Sequence, residues 1–297
     1  MFEVGKRSIF LGDDNLDFFD IIKSVIYGII QGISEWLPIS STGHLLLAEN
    51  IIPFSSALSA EFFDMFKVVI QLGSIIAVLV IYFRQLNPFA PSKSALEKKD
   101  TWVLWSKIIV ASVPAGIVGV LFEDIIDNVL SPNWIIAVAL LVYGVLFIIS
   151  GKFGRKISIE SSADITYKTA FFMGCFQMLA LIPGTSRSGS TILGAILVLG
   201  MSRAVAAEFS FFMALPVMLG ASALKLLSGG LGMSAAEWGV LAIGSVVSFV
   251  VSMVVIKFLL AYIRKHDFKV FGYYRIVLGI IVLALIFLEI IPSTSVA

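Results

Sequence analysis

Gln31 and Glu35 stand four residues apart, and beyond Pro38 comes the run Ser40-Ser41-Thr42-Gly43-His44. Positions i and i+4 of a helix share a face, so the amide and the carboxylate can serve one spot. Three adjacent hydroxyls at the start of a new helical segment add side-chain donors to free backbone N–H groups, which suits an anion. Ordinary N-capping needs only one of them. His44, one of two histidines in the chain, suits proton transfer or activation of a hydroxyl. A second run, Pro183-Gly184-Thr185-Ser186-Arg187-Ser188-Gly189-Ser190-Thr191, repeats the pattern with Arg187 where the first has Ser41. A guanidinium matches phosphate through two parallel hydrogen bonds. The bland alternatives are that Glu35 caps a turn or pairs with Arg187 as structural glue, and that Arg187 snorkels to an interface. A carboxylate and an arginine in the middle of apolar regions favour function. Carboxylate, amide, hydroxyls, imidazole and guanidinium together imply phosphoryl transfer to a side chain or to water, through positioning and charge stabilisation. No Walker lysine loop, zinc signature or G-x-S-x-G elbow is present.

The elements that must position these residues are membrane helices. Apolar residues make up 59% of the 297, only 14% are charged, and the mean hydropathy is +1.00. Soluble domains carry about 25% charged residues. A net charge of +1 gives no basic surface for nucleic acid. Six stretches are apolar over the roughly 20 residues that a crossing requires, at about 62–83, 103–122, 134–151, 207–228, 238–262 and 272–291. Two further apolar regions, about 18–52 and 167–201, are interrupted at their centres by the polar runs. Freed backbone groups cannot face hydrocarbon, so each region reads as a re-entrant pair of half-helices. The expected fold is therefore an all-α polytopic membrane protein of six transmembrane helices and two re-entrant helix hairpins. A tail over 1–17 precedes a single membrane domain over 18–297, and no cleavable signal peptide is evident among the acidic first twenty residues. Cys175 is the only cysteine and sits in an apolar stretch, where it packs.

Lysine and arginine concentrate near 84–107, 152–168 and 263–275, the last set being Arg264, Lys265, Lys269 and Arg275; the segments near 123–133 and 229–237 have none. This alternation puts the three basic segments in the cytoplasm and both termini outside. The two broken regions also match each other. Gly28, Gln31, Ser40, Thr42 and Gly43 correspond at an offset of 146 to Gly174, Gln177, Ser186, Ser188 and Gly189, and Glu61 corresponds at 147 to Glu208. Repeat one covers about 18–83 and repeat two about 167–228, with three spans between the breaks. An odd number turns the second copy over, and inverted repeats with broken helices place their site near the midplane. Glu61 and Glu208 could simply pair with nearby Lys67 or Arg203, and Gln71 could hydrogen-bond between helices.

At QGISEWLPISSTGH and PGTSRSGST, and less specifically at VVIQLGS and EFSFFMALPVM, the sequence resembles the bacterial undecaprenyl-diphosphate phosphatases, also called bacitracin-resistance proteins, from about residue 20 to 290. The resemblance implies hydrolysis of a C55 polyprenyl diphosphate to the monophosphate carrier used in cell-wall synthesis. It also implies a divalent cation (Mg2+ or Ca2+), a site open to the outer face of the bacterial inner membrane, and a homodimer. By position it makes Ser41 the nucleophile, His44 its acid/base partner and Arg187 the phosphate-binding arginine. Ser40, Thr42, Ser186 and Ser188 become phosphate contacts, while Glu35 and Gln31 face the metal. Many members have glutamate where this chain has Gln31, so one carboxylate is lost. A transporter or flippase for polyprenyl phosphate would use the same arginine and hydroxyls, yet has no need of a Ser-Thr-Gly-His cluster beside a glutamate. The K-x6-R-P and S-R-x5-H-x3-D patterns of the type 2 phosphatidic-acid phosphatases are missing.

Overall fold

The structure, a computed structural model, describes residues 17–293 other than 57, 131, 154 and 155. The tail expected over 1–17 lies, but for Asp17, outside the described residues, and so does the C-terminus. Asp17 caps the first helix by accepting from Phe19 N at 3.2 Å. Thirteen α-helices follow among the described residues: α1 (Phe18–Ser34), α2 (Ser41–Ile51), α3 (Ala60–Val69), α4 (Gln71–Ile81), α5 (Phe83–Leu86), α6 (Ala95–Leu121), α7 (Glu123–Leu130), α8 (Asn133–Phe153), α9 (Tyr167–Met178), α10 (Arg187–Gly194), α11 (Arg203–Ser228), α12 (Ala235–Ile263) and α13 (Lys269–Phe287). Among the same residues Ile159 and Met201 form an isolated parallel bridge.

Among the described residues six stretches are long and apolar enough to cross a membrane: Glu61–Ile81, Ala95–Leu121, Asn133–Phe153, Arg203–Ser228, Ala235–Ile263 and Lys269–Phe287. They are the six expected, with shifted ends. The second begins at Ala95 rather than near 103 because Ser94 and Glu97 form a capping box ahead of the apolar run. Lys98, Lys99 and Lys107 therefore lie on α6, not in a loop. Arg275 requires a larger correction. Assigned by its position to the basic turn near 263–275, it sits inside α13 and is fully buried. The helix starts at Lys269, so only Arg264, Lys265 and Lys269 remain at that turn.

Both polar runs interrupt helices, as their proline and glycine require. α1 ends at Ser34, four residues before Pro38, with Glu35 N still donating to Gln31 O at 3.0 Å. The residue ahead of a proline is pushed out of helical geometry, and here the disruption reaches back a full turn. α9 ends at Met178 and passes through a 3-10 turn over Leu179–Leu181 before Pro183.

α1 packs along α12, α9 along α6 and α8 along α13, while α11 touches α3, α4 and α6. The α1–α12 approach uses Gly28 and Gly32: a Cβ at Gly28 would lie 2.6 Å from Gly244 O, and one at Gly32 2.8 Å from Ser248 O. Ser74 and Ser248 hydroxyls bond at 2.7 Å, and Ser252 donates to Ser74 Oγ at 3.1 Å, tying α4 to α12 beside Gly32. Such hydroxyl bonds are worth about 0.6 kcal/mol each between membrane helices. The many dispersion contacts of glycine-permitted close packing contribute more. α1 is thereby held firmly enough to present Gln31 and Glu35 inward, both of them buried.

Candidate active site

The two turns are built alike. Ser40 (φ 75°, ψ 102°) and Ser186 (φ 70°, ψ 123°) each adopt a backbone conformation that L-residues avoid. Each is an N-cap whose hydroxyl accepts from the glycine three residues on, Gly43 N at 3.4 Å and Gly189 N at 3.2 Å. Strain of about 1–3 kcal/mol at such residues persists where surrounding structure over-determines them, commonly at working sites. Gly184, at φ 88°, turns the second chain segment against Ile136, where a Cβ would lie 2.5 Å from the carbonyl oxygen. The free N–H groups of α2 and α10 are thus presented by two turns of the same shape.

Between the turns lies one carboxylate. Glu35 Oε1 accepts from Arg187 Nη2 at 2.8 Å, and Oε2 accepts from Gln31 Nε2 at 3.0 Å and from Ser41 Oγ at 3.3 Å. Arg187 also donates through Nη1 to Ser210 O at 2.9 Å and lies over the Trp36 ring at 5.3 Å. Ser188 Oγ reaches Glu35 O at 3.4 Å, and the Ser186 and Ser188 hydroxyls are 3.2 Å apart. Thr191 holds the base of Arg187 by donating to its carbonyl at 2.8 Å. Gln31, Glu35, Ser41, Ser186, Arg187 and Ser188, drawn from two distant stretches of sequence, therefore form one cluster. Several buried polar atoms here have no partner among the described residues, namely Gln31 Oε1, Trp36 Nε1, Thr185 Oγ1 and Arg187 Nε. The last three can donate to an anion.

Other expected residues stand apart. Among the described residues His44 makes no hydrogen bond to Ser41. Its Nδ1 is 2.7 Å from Ser40 O, its Nε2 is 2.6 Å from Tyr274 Oη, and the two rings stack with centroids 5.6 Å apart. The group bonded to the Ser41 hydroxyl is Glu35. Thr42 is exposed and makes no side-chain hydrogen bond among the described residues. The weaker expectations fail: Glu208 accepts from Gln85 Nε2 at 2.8 Å rather than from Arg203, which donates to His266 O at 3.0 Å. Lys67 pairs with Asp64 at 2.7 Å and Glu49 at 3.6 Å, not with Glu61. Gln71 bonds Lys67 O at 3.4 Å within its own span instead of bridging helices.

Among the described residues no group of three or more His, Cys, Asp or Glu side chains could hold a metal by itself. The donors at the cluster are Glu35, the unpartnered Gln31 Oε1 and hydroxyls. This hard, oxygen-only set suits Mg2+ or Ca2+ and is too small to form a cage without phosphate oxygens, which is how Mg2+ is commonly held.

Sequence reasoning missed two residues of α13. Tyr274 holds His44. Arg275 Nη1 donates to Pro38 O at 3.1 Å, and its Nη2 to Gly184 O at 2.8 Å, Thr185 O at 3.1 Å and Ala139 O at 3.4 Å. The signal existed: an arginine inside a stretch otherwise apolar from 272 is suspect by position alone. Tyr274→Phe removes one hydrogen bond to the imidazole, and a neutral bond is worth about 0.5–1.5 kcal/mol, so turnover should fall roughly 2- to 12-fold in a folded protein. A pH–rate profile that also shifts on the limb set by His44 would show that Tyr274 acts through it; an unchanged rate would separate the pair from turnover.

Residues 24–281 match the family described as bacitracin resistance protein BacA. The chain is 57% identical over 275 residues to undecaprenyl-diphosphatase 1 of Clostridioides difficile (strain 630), covering 93% of this chain and 99% of that protein. It is 52% identical over 271 residues to the undecaprenyl-diphosphatase of Enterococcus faecalis (strain ATCC 700802 / V583), covering 90% and 97%. With that of Lactiplantibacillus plantarum (strain ATCC BAA-793 / NCIMB 8826 / WCFS1) it shares 53% over 270 residues, covering 89% and 97%.

Proposed function

The chain belongs to the bacitracin resistance protein BacA family, and on that premise we propose that it hydrolyses undecaprenyl diphosphate to undecaprenyl phosphate and inorganic phosphate. The observation that carries the reading is the meeting of Arg187 from one turn with Ser41 from the other on the single carboxylate of Glu35. That arrangement supplies a hydroxyl nucleophile, its proton acceptor and a phosphate-binding cation within one buried cluster.

Ser41 Oγ attacks the terminal phosphorus while Glu35 Oε2, already its hydrogen-bond acceptor, takes the proton. The bridging P–O bond breaks, and undecaprenyl phosphate leaves with the bridging oxygen and its electron pair. Water then attacks the phosphoserine, the Ser41 Oγ–P bond breaks as Glu35 returns the held proton to Ser41, the carboxylate so freed takes the proton released by water, and inorganic phosphate departs. Arg187 turns its unpartnered Nε and an Nη toward the phosphate, and the hydroxyls of Ser186 and Ser188 with the N–H groups of α2 and α10 complete the cradle. Ser40 shapes the turn that carries Ser41. Thr42 faces outward, toward an arriving headgroup. His44 sits one helical turn beyond Ser41 and relays protons with Tyr274 rather than contacting the nucleophile. Glu35, steadied by the Gln31 amide at 3.0 Å, would hold a divalent cation, Mg2+ or Ca2+, whose charge offsets that of the diphosphate.

The same reading includes an inverted repeat of two re-entrant hairpins within one membrane domain over 18–297. Its support is a pairing pattern that survives exchange of halves. Replacing α1 by α9, α3 and α4 by α11, α6 by α12, and α8 by α13 turns the α1–α12 contact into α9–α6 and the α4–α12 contact into α11–α6. The matching strained serines add to it. The basic segments then lie in the cytoplasm, the termini and the site's opening outside, in the bacterial inner membrane, with the polyprenyl chain left in lipid. The homodimer belongs to this reading too, and light scattering of the detergent-solubilised protein decides it.

The test is phosphate release from undecaprenyl diphosphate by purified protein in detergent, with Mg2+ and then with chelator. Release lost on chelation supports the reading; none from folded protein would move it to transport of the lipid phosphate. Glu35→Gln should shift the metal titration of any residual release to higher concentration. An unchanged titration would take Glu35 away from the cation.

A further inference from the structure

Arg275 lies fully buried beneath the cluster, and no carboxylate is within ion-pair distance of it among the described residues. Removing a guanidinium from water without a counter-ion is expensive, so its partners must repay much of that cost. They are all backbone carbonyls, from three separate segments. Pro38 O belongs to the turn that ends at Ser40, Gly184 O and Thr185 O to the turn that ends at Ser186, and Ala139 O to α8. The Tyr143 and Phe147 rings lie 5.4 and 6.0 Å from the guanidinium carbon and add cation–π support.

We propose that Arg275 is a positioning residue of the phosphatase site, a fork that holds the two turns in register and thereby sets Ser41 against Arg187. This rests on the function proposed above. A planar fork fixes two chain segments relative to one another, which a point charge on a flexible stem does not. Taking up the carbonyl oxygens also turns the opposite edge of each turn, with its N–H groups, toward the anion. The charge left over favours an anionic ligand, because no acidic side chain among the described residues pairs with it.

Arg275→Lys in the full-length chain keeps the charge and loses the fork, whereas Arg275→Met loses both. With melting temperature and gel-filtration profile retained, the lysine variant should lose about 100-fold in kcat for undecaprenyl diphosphate with KM little changed, the size expected when reacting groups are misplaced by about 1 Å. The methionine variant should raise KM as well. Hydrogen exchange should quicken in residues 36–43 and 183–191 together, and stay unchanged in α12. Wild-type kcat in the lysine variant, or exchange quickened in one turn only or throughout the protein, would overturn the proposal. If the wild-type protein itself releases no phosphate, the phosphatase reading fails by that control, and the exchange result alone still decides whether Arg275 holds the turns.

Discussion

Arg187→Ala is expected to lower phosphate release from undecaprenyl diphosphate by about 1,000-fold or more, the range over which arginines contribute to phosphoryl transfer. Arg187 is the charged group that the second turn contributes to the cluster, and it is tied to Glu35 at 2.8 Å and to Ser210 O at 2.9 Å. Lysine cannot make both contacts and still meet phosphate with a fork, so Arg187→Lys should restore little. The alanine variant should also be less stable, because stranding one partner of a buried ion pair costs about 3–5 kcal/mol. Combining Arg187→Ala with Glu35→Gln separates the effects: stability should return in part while activity does not. Gln31→Ala should cost less than Arg187→Ala, because Gln31 acts on Glu35 through a single bond at 3.0 Å. Equal losses measured as kcat/KM would instead make Gln31 a direct ligand of the cation or substrate.

Ser41→Ala is expected to reduce turnover by about 10,000-fold or more, as removal of a nucleophile does in other covalent mechanisms. On the proposed reading the accompanying role falls to Glu35, which accepts from the Ser41 hydroxyl at 3.3 Å, while both nitrogens of His44 are engaged elsewhere. His44→Ala should therefore cost much less than Ser41→Ala. The decisive measurement is an acid quench during turnover of substrate labelled in its terminal phosphate. Label on Ser41, absent in the alanine variant, would establish the covalent step. Turnover retained by Ser41→Ala, with no label on wild-type protein, would mean that water attacks directly with Glu35 as its base.

Composition and spacing were enough to specify the solvent, the elements and most of the cluster. Apolar runs of sufficient length specify six spans because lipid leaves the backbone no other partners, and the polar runs with Pro38, Pro183 and Gly184 specify where helices must break. Gln31, Glu35, Ser41, Arg187 and Ser188 were legible because charge and clustered hydroxyls within apolar regions have few structural uses. Local rules could not say which groups touch. Whether Ser41 gives its hydrogen bond to the histidine three residues away or to the glutamate six residues back depends on how the turn from Ser34 to Ser40 closes. That closure is settled by Arg275 of α13 on the Pro38 carbonyl, a contact across 237 positions. His44 is drawn to Tyr274 by the same helix, from 230 positions away. By number Arg275 belongs both to the basic segment near 263–275 and to the apolar stretch from 272, and its burial inside α13 decides between the two. Hydropathy is a property of a segment and can be read along it. The pairing of a side chain depends on which distant backbone comes within about 3 Å, and only tertiary packing decides that.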